Sequence, residues 1–162
     1  MENKFNFLPQ LIVYDFDGVM TDNRVLVDEN GKESVNVHRG DGYAVRMIKT
    51  ELKIPQIILS TETNSVVSRR AEKLKIPSIY GVGDEKKIIL ARYCQEQNIA
   101  LSQVLYIGND LNDYEAMGIC GYCACPQDAE VEIIKIADFV FSAKGGYGVV
   151  RELYRYLKVV LE

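Results

Sequence analysis

Six short apolar runs are spaced along the chain: Leu11 to Tyr14, Gln56 to Leu59, Ser78 to Tyr80, Val104 to Ile107, Tyr122 to Ala124 and Phe139 to Phe141. Each has the length of a strand. Between most of them the apolar residues recur at helical spacing, as at Tyr43, Val45, Met47 and Ile48, at Val66, Val67, Ala71 and Leu74, and at Ile88, Ile89, Leu90 and Tyr93. A strand that is apolar on both faces needs cover on both, and helices that alternate with strands provide it. The pattern predicts an α/β fold, a doubly wound parallel sheet with helices on each side. With 162 residues, 48% of them hydrophobic, the chain has the length for one domain over 1–162 and one core.

One stretch departs from the alternation. Arg24 to Val37 reads as two alternating segments around Asn30-Gly31. That pair is suited to positive φ at both central positions of a tight turn, so a β-hairpin is expected to project between the first strand and its helix. Asp41 is placed to N-cap the helix that follows, and Pro55 and Pro77 each mark a helix end before a strand.

Nineteen basic against twenty-three acidic residues give a formal charge of -4, and the basic residues lie scattered along the sequence. No stripe that could track a phosphate backbone is visible, so nucleic acid is not an expected partner. No apolar run approaches the roughly 18 residues that cross a bilayer, and Met1 to Gln10 lacks the cationic and apolar regions of a signal peptide. No membrane partner and a cytoplasmic location are expected. In a reducing compartment Cys94, Cys120, Cys123 and Cys125 read as buried, inert thiols; a tetrahedral metal site needs four ligands, and the only histidine, His38, is distant in sequence.

In an open parallel sheet ligands bind beyond the carboxyl ends of the strands, and four of those ends carry reactive chemistry. After the first run come Asp15, Asp17 and Gly18, two carboxylates at i, i+2 on one side of an extended segment that turns at once. Such a pair can share a divalent cation while one member attacks phosphorus and the other handles a proton; it can also merely cap a turn. After the second run, Ser60-Thr61-Glu62-Thr63-Asn64 offers a hydroxyl and free N–H groups to a phosphate oxygen, or an ordinary helix cap. Lys86, at the start of a later helix, can neutralise a phosphate or lie solvated at the surface. The fourth end, Gly108-Asn109-Asp110-Leu111-Asn112-Asp113, is rich in the oxygen ligands that suit Mg²⁺. Four strand ends each offering part of one phosphate-and-magnesium site exceed what capping requires.

These four motifs, in this order, resemble those of the haloacid dehalogenase-like phosphatases across almost the whole chain. The resemblance implies that Asp15 is the nucleophile and Asp17 the general acid/base. It implies that Ser60, Thr61 and Lys86 hold phosphate, and that Asp15, Asp17 and Asn109 hold Mg²⁺, with Asp110 and Asp113 behind them. A narrower likeness is to the capless 3-deoxy-manno-octulosonate 8-phosphate phosphatases and the related phosphatase-like domain of some acylneuraminate cytidylyltransferases. It is carried by the missing cap domain, the hairpin after the first motif and the segment Lys144-Gly145-Gly146-Tyr147-Gly148-Val149-Val150-Arg151-Glu152. This likeness implies a phosphorylated eight- or nine-carbon 2-keto-3-deoxy sugar acid as substrate. It also implies a homotetramer with hairpins joined at its centre, although an isolated hairpin could equally fold back on its own domain. Arg39, Tyr43, Glu62, Asn64 and Arg151 are candidates for reading the substrate, and the two arginines could equally form surface ion pairs. Many active relatives carry aspartate where this chain carries Asn109. That departure favours the alternative of a weakly active or non-catalytic oligomerisation module beside a cytidylyltransferase.

Overall fold

The computed structural model describes residues 5–161. Strands β1 (Leu11–Tyr14), β2 (Leu26–Val27) and β3 (Glu33–Ser34) precede helix α1 (Arg39–Met47), which runs on through a wider π turn, Ile48–Leu52. There follow β4 (Gln56–Leu59), α2 (Val66–Leu74), β5 (Ser78–Ile79), α3 (Lys86–Glu96), β6 (Val104–Ile107), α4 (Tyr114–Met117), β7 (Tyr122–Cys125), α5 (Val131–Ile136), β8 (Phe139–Val140) and α6 (Val149–Leu161). Six strands form one parallel sheet in the order β5-β4-β1-β6-β7-β8. The two edge strands, β5 and β8, are the short ones.

Side chains alternate across a strand, so each strand feeds two cores. Ile12 and Tyr14 of β1 pack with Ala44 and Val45 of α1, Val67 of α2 and Leu153 of α6. Leu11 and Val13 face the other way, against Leu90 of α3, Met117 of α4 and Ile133 of α5. Both faces of β1 are therefore buried, and truncating one of these large aliphatic residues to alanine costs about 2–5 kcal/mol. Buried Tyr14 meets its polar requirement through Gln56 Oε1 at 2.9 Å, and Gln56 Nε2 in turn donates to the Val45 carbonyl.

The chain runs from β1 outward through β4 to β5, then returns across β1 to build β6, β7 and β8. The strand order thus reverses between β1 and β6. Tyr14 stands level with Ile58 of β4 and Ile107 of β6, so the residues that follow, Asp15, Ser60 and Gly108, emerge together at the crevice where the crossovers diverge.

Three expectations need correction. The hairpin forms, with Leu26 opposite Ser34 and Val27 opposite Glu33, but its turn is wider than a two-residue loop. Asp28 Oδ1 accepts from the backbone N–H groups of Asn30 and Lys32, which locks a larger turn in which only Gly31 takes positive φ. Asp41 is not the cap of α1; His38 occupies that position. Asp41 sits buried in the first turn and accepts from the Arg151 N–H at 2.9 Å, so it caps the start of α6, where Gly148 has no side chain to offer. The basic residues, scattered along the sequence, gather in space. Arg39, Arg46, Arg70, Lys73 and Lys75 line a groove of about 530 Å³ between α1 and α2.

Between β1 and α1 the described residues contain the hairpin and no inserted cap domain. No helix among them is long and apolar enough to cross a membrane.

Candidate active site

Asp15 is the first residue beyond β1, and its backbone N–H still donates to the Ile107 carbonyl, which fixes it against β6. Its carboxylate is buried and divided in its duties. Oδ1 accepts a 2.6 Å hydrogen bond from Lys86 Nζ, and the same ammonium donates at 2.7 Å to Asp113 Oδ1. Lys86 opens α3, so one buried cation joins the ends of three crossovers. Three buried charges are tolerable only when every lone pair and proton is used. Asp113 meets that condition. Its Oδ1 also accepts from the Tyr106 hydroxyl at 2.8 Å, and its Oδ2 accepts from the backbone N–H groups of Asn109 and Asp110 at 2.9 and 3.3 Å.

The electrostatics follow from burial and sharing. Burial, helped by the Asp113 charge, pushes Asp15 up to about 7 against the pull of Lys86. Burial alone would drain the charge from Lys86, but its two carboxylate partners outweigh that loss and hold its pKa above the usual lysine value. Asp17 is also raised by burial, and the hydrogen bond from Thr21 Oγ1, at 3.2 Å, opposes the rise.

The second oxygen of Asp15 faces a different group. The Asn109 amide has one end 3.0 Å from Asp15 Oδ2 and 2.8 Å from the Asp17 backbone carbonyl. Two ligands at right angles on a magnesium-sized cation, each about 2.1 Å from it, lie about 3.0 Å apart. With its oxygen turned inward, Asn109 therefore stands at the spacing of neighbouring ligands on one such cation from both Asp15 Oδ2 and the Asp17 carbonyl oxygen. The set holds one carboxylate and two neutral oxygens, and no group of three or more His, Cys, Asp and Glu side chains gathers as a metal cluster among the described residues. That composition fits Mg²⁺, which takes one or two carboxylates and keeps several waters. Gly18 makes the approach possible: at φ +82°, it leaves the amide a space in which a Cβ would stand 2.0 Å from the Asn109 nitrogen. Gly145 serves the same loop from the other side, since a Cβ there would meet the Gly18 carbonyl oxygen at 2.0 Å.

Ser60 is the first residue beyond β4, buried, with its Oγ accepting from the Glu62 N–H. Thr61 Oγ1 accepts from Asn112 Nδ2 at 3.2 Å, which ties the loop after β4 to the loop after β6. Glu62 and Asn64 lie in the same loop. Glu62 Oε1 accepts from the N–H groups of Thr63 and Asn64, while Asn64 Oδ1 accepts from the Val66 N–H of α2 and its Nδ2 donates to Glu33 of the hairpin. These bonds to backbone N–H groups are those of an ordinary turn and helix start. Asp110 uses its carboxylate to cap the short turn at Leu111.

The remaining candidates stand apart from the carboxylates. Arg39 lies in the basic groove. The Tyr43 ring carries the guanidinium groups of Arg46 and Arg151 at 5.0 and 4.7 Å from its centre, on the α1–α6 surface. Two residues that sequence reasoning passed over belong to the site. Tyr106 reads as core filling within an apolar run, and only its hydroxyl, facing Asp113, says otherwise. Thr21 accepts from the N–H groups of Gly18 and Asn23 while donating to Asp17, so it shapes the turn that carries Asp17. Cys94, Cys123 and Cys125 are free, buried thiols.

The chain's relatives share this architecture. The model of the haloacid dehalogenase-like hydrolase family matches residues 43–153. The 3-deoxy-D-manno-octulosonate 8-phosphate phosphatase KdsC of Escherichia coli K12 is 31% identical over 144 residues, 89% of this chain and 76% of that protein. A structure from Streptomyces avermitilis, proposed to be a HAD family hydrolase, superposes with a TM-score of 0.89 at 41% identity over 92% of this chain and 84% of that one. The 3-deoxy-D-manno-octulosonate 8-phosphate phosphatase of Moraxella catarrhalis, solved with magnesium, phosphate and a KDO molecule, superposes with a TM-score of 0.88 at 27% identity, covering 94% and 87%. With buried Asp15, Lys86 and Asn109 brought together where the strand order reverses, these likenesses establish that the chain belongs to the haloacid dehalogenase-like hydrolases, as a phosphatase.

Proposed function

We propose that the chain hydrolyses the phosphate monoester of an eight- or nine-carbon 2-keto-3-deoxy sugar acid through an aspartyl-phosphate on Asp15, with Mg²⁺ as cofactor. The observation that carries the reading is the division of the Asp15 carboxylate, one oxygen held by Lys86 and the other facing the Asp17 carbonyl and Asn109. Asp15, the Asp17 carbonyl and Asn109 would hold the cation, which when bound screens the repulsion between a carboxylate nucleophile and a phosphate dianion.

The Asp15 carboxylate attacks phosphorus as the P–O bond to the sugar breaks. Asp17, kept protonated more readily by its burial, gives its proton to the departing alkoxide. Asp17 then takes a proton from the water that attacks the aspartyl-phosphate, and the new P–O bond to Asp15 breaks to release phosphate. Lys86, Ser60 and Thr61 hold the equatorial oxygens over which charge spreads in the transition state. Asp113 and Tyr106 keep Lys86 aimed.

The sugar-acid assignment is supported by what the KdsC relatives are named for and by the KDO in the Moraxella structure. In this chain Glu62 and Asn64 lie in the loop after β4, Tyr43 and Arg151 on the α1–α6 face and Arg39 in the basic groove between α1 and α2. The hairpin exposes Val25, Leu26 and Val27, apolar side chains that a homotetramer joined through its hairpins would cover. A purely structural module has no use for the buried Asp15–Lys86–Asp113 system, which is costly to keep.

The test is phosphate release from a panel of sugar-acid phosphates in saturating Mg²⁺. Asp15→Asn should fold and show no turnover; turnover at the parent rate sinks the nucleophile assignment. Asp17→Asn should be slowed by a factor on the order of 10² to 10⁴.

A further inference from the structure

With Asp15 ionised, the amide of Asn109 faces two acceptors, Asp15 Oδ2 at 3.0 Å and the Asp17 carbonyl oxygen at 2.8 Å. With the amide oxygen inward, three oxygens crowd together and need a cation among them. With the nitrogen inward, its two N–H groups donate to both neighbours, and the cluster is satisfied by protein alone. The two arrangements differ by a half-turn of a planar group whose ends are nearly equal in size.

The backbone around that planar group is anchored. The Asn109 N–H donates to Asp113 Oδ2 at 2.9 Å, and its carbonyl accepts from the Glu130 N–H at 2.9 Å. Only the end of the side chain is left to turn, beside the space that Gly18 leaves. Lys86 binds the other oxygen of Asp15, so Asn109 is the side chain that meets Oδ2.

We propose that Asn109 is a reversible occupant of the cation position. With nitrogen inward it bridges Asp15 and Asp17 and keeps the cation-free site ordered. With oxygen inward it becomes a ligand. Cation uptake must therefore break two hydrogen bonds and turn the amide, so the chain binds Mg²⁺ more weakly than it would with a carboxylate at 109. In return its stability depends little on the cation. An aspartate at 109 cannot donate, and would set a second anion about 3 Å from Asp15 unless a cation or proton intervened. This inference rests on the magnesium reading of the site.

The experiment compares the parent chain with Asn109→Asp and Asn109→Ala, in EDTA and in saturating Mg²⁺. Calorimetric titration measures Mg²⁺ affinity, thermal unfolding measures stability, and ¹⁵N NMR follows the Asn109 side-chain amide, assigned by its loss in Asn109→Asp. The parent should melt within a few degrees in the two conditions. Asn109→Asp should melt well below the parent in EDTA, recover in Mg²⁺, and bind Mg²⁺ at least tenfold more tightly. Asn109→Ala should lose stability in EDTA without gaining affinity. The side-chain amide signals should shift on Mg²⁺ addition. If Mg²⁺ binds the parent while those signals stay fixed, or if Asn109→Asp is as stable as the parent in EDTA and binds no more tightly, the reversible occupant is refuted and the magnesium site stands. If neither chain binds Mg²⁺, the magnesium reading falls and takes this inference with it.

Discussion

Replacing Asp41 with asparagine should make the protein more stable at neutral pH, and the reason lies in how Asp41 is held. Its carboxylate is 3% exposed, Oδ1 accepts from the Arg151 N–H, and Oδ2 is buried without a hydrogen-bond partner. Burial pushes the group up to about 6 from 3.8, against the opposing effects of the Arg151 N–H, His38, the Val150 N–H and Arg70. The folded chain therefore binds this proton more tightly than the unfolded chain does. Between pH 4 and 6 the unfolded chain has released the proton and the folded chain still holds it, so stability falls as pH rises through that window. A shift of about two units corresponds to on the order of 2–3 kcal/mol at most. Asparagine keeps an oxygen for the Arg151 N–H and carries no charge to bury. Urea unfolding of parent and Asp41→Asn from pH 4 to pH 8 measures the effect. The other buried acids titrate in both chains and cancel in the difference, which should be smallest near pH 4 and grow in favour of the variant up to about pH 7. A difference that is flat over this range, or that grows in favour of the parent, would refute the linkage. Asp41→Ala provides the contrast: it removes the titration together with the α6 cap, so its difference from the parent should follow the same pH slope, displaced from that of Asp41→Asn by about 1 kcal/mol of lost stability.

Lys86→Met leaves Asp15 and Asp113 buried without their shared counter-charge and should cost about 3–5 kcal/mol in urea unfolding. Tyr106→Phe removes one hydrogen bond to an ionised acceptor; a loss of about 1.5–3 kcal/mol is expected, with slower turnover because Lys86 is less firmly aimed. Thiol labelling checks the cysteines: burial and neighbouring groups push Cys123 and Cys125 up to about 12, so native protein should react slowly with a disulfide reagent while all four thiols react in urea.

The sheet was legible because runs such as Leu11 to Tyr14 are apolar at every position, which only a strand covered on both faces can use. Asp15 and Asn109 were legible for the same reason, since each follows such a run within two residues. What sequence could not convey depends on contacts between distant segments. The α6-capping role of Asp41 requires α1 to lie against α6, 110 residues onward. Tyr106 gains its polar role only when the turn at Leu111–Asp113 folds back over β6. The basic groove draws on α1 and α2, whose cations are interleaved with neutral residues along each helix and meet only when the helices pack. In the hairpin, Asn30-Gly31 suggested a two-residue loop, and the Asp28 side chain decided for a wider one.

The lone ammonium at position 86 has a consequence for how this molecule acquires its activity. Its two carboxylate partners are 71 residues before it and 27 after it, so no fragment that lacks either flank contains the whole ion-paired cluster. During refolding, turnover should lag behind the return of helical signal and appear only when the amino-terminal and carboxy-terminal halves of the sheet have docked across β1. Catalysis in this chain is thus a late reporter of complete assembly, and a circular permutant cut in an exposed loop should keep it while a truncated one should not.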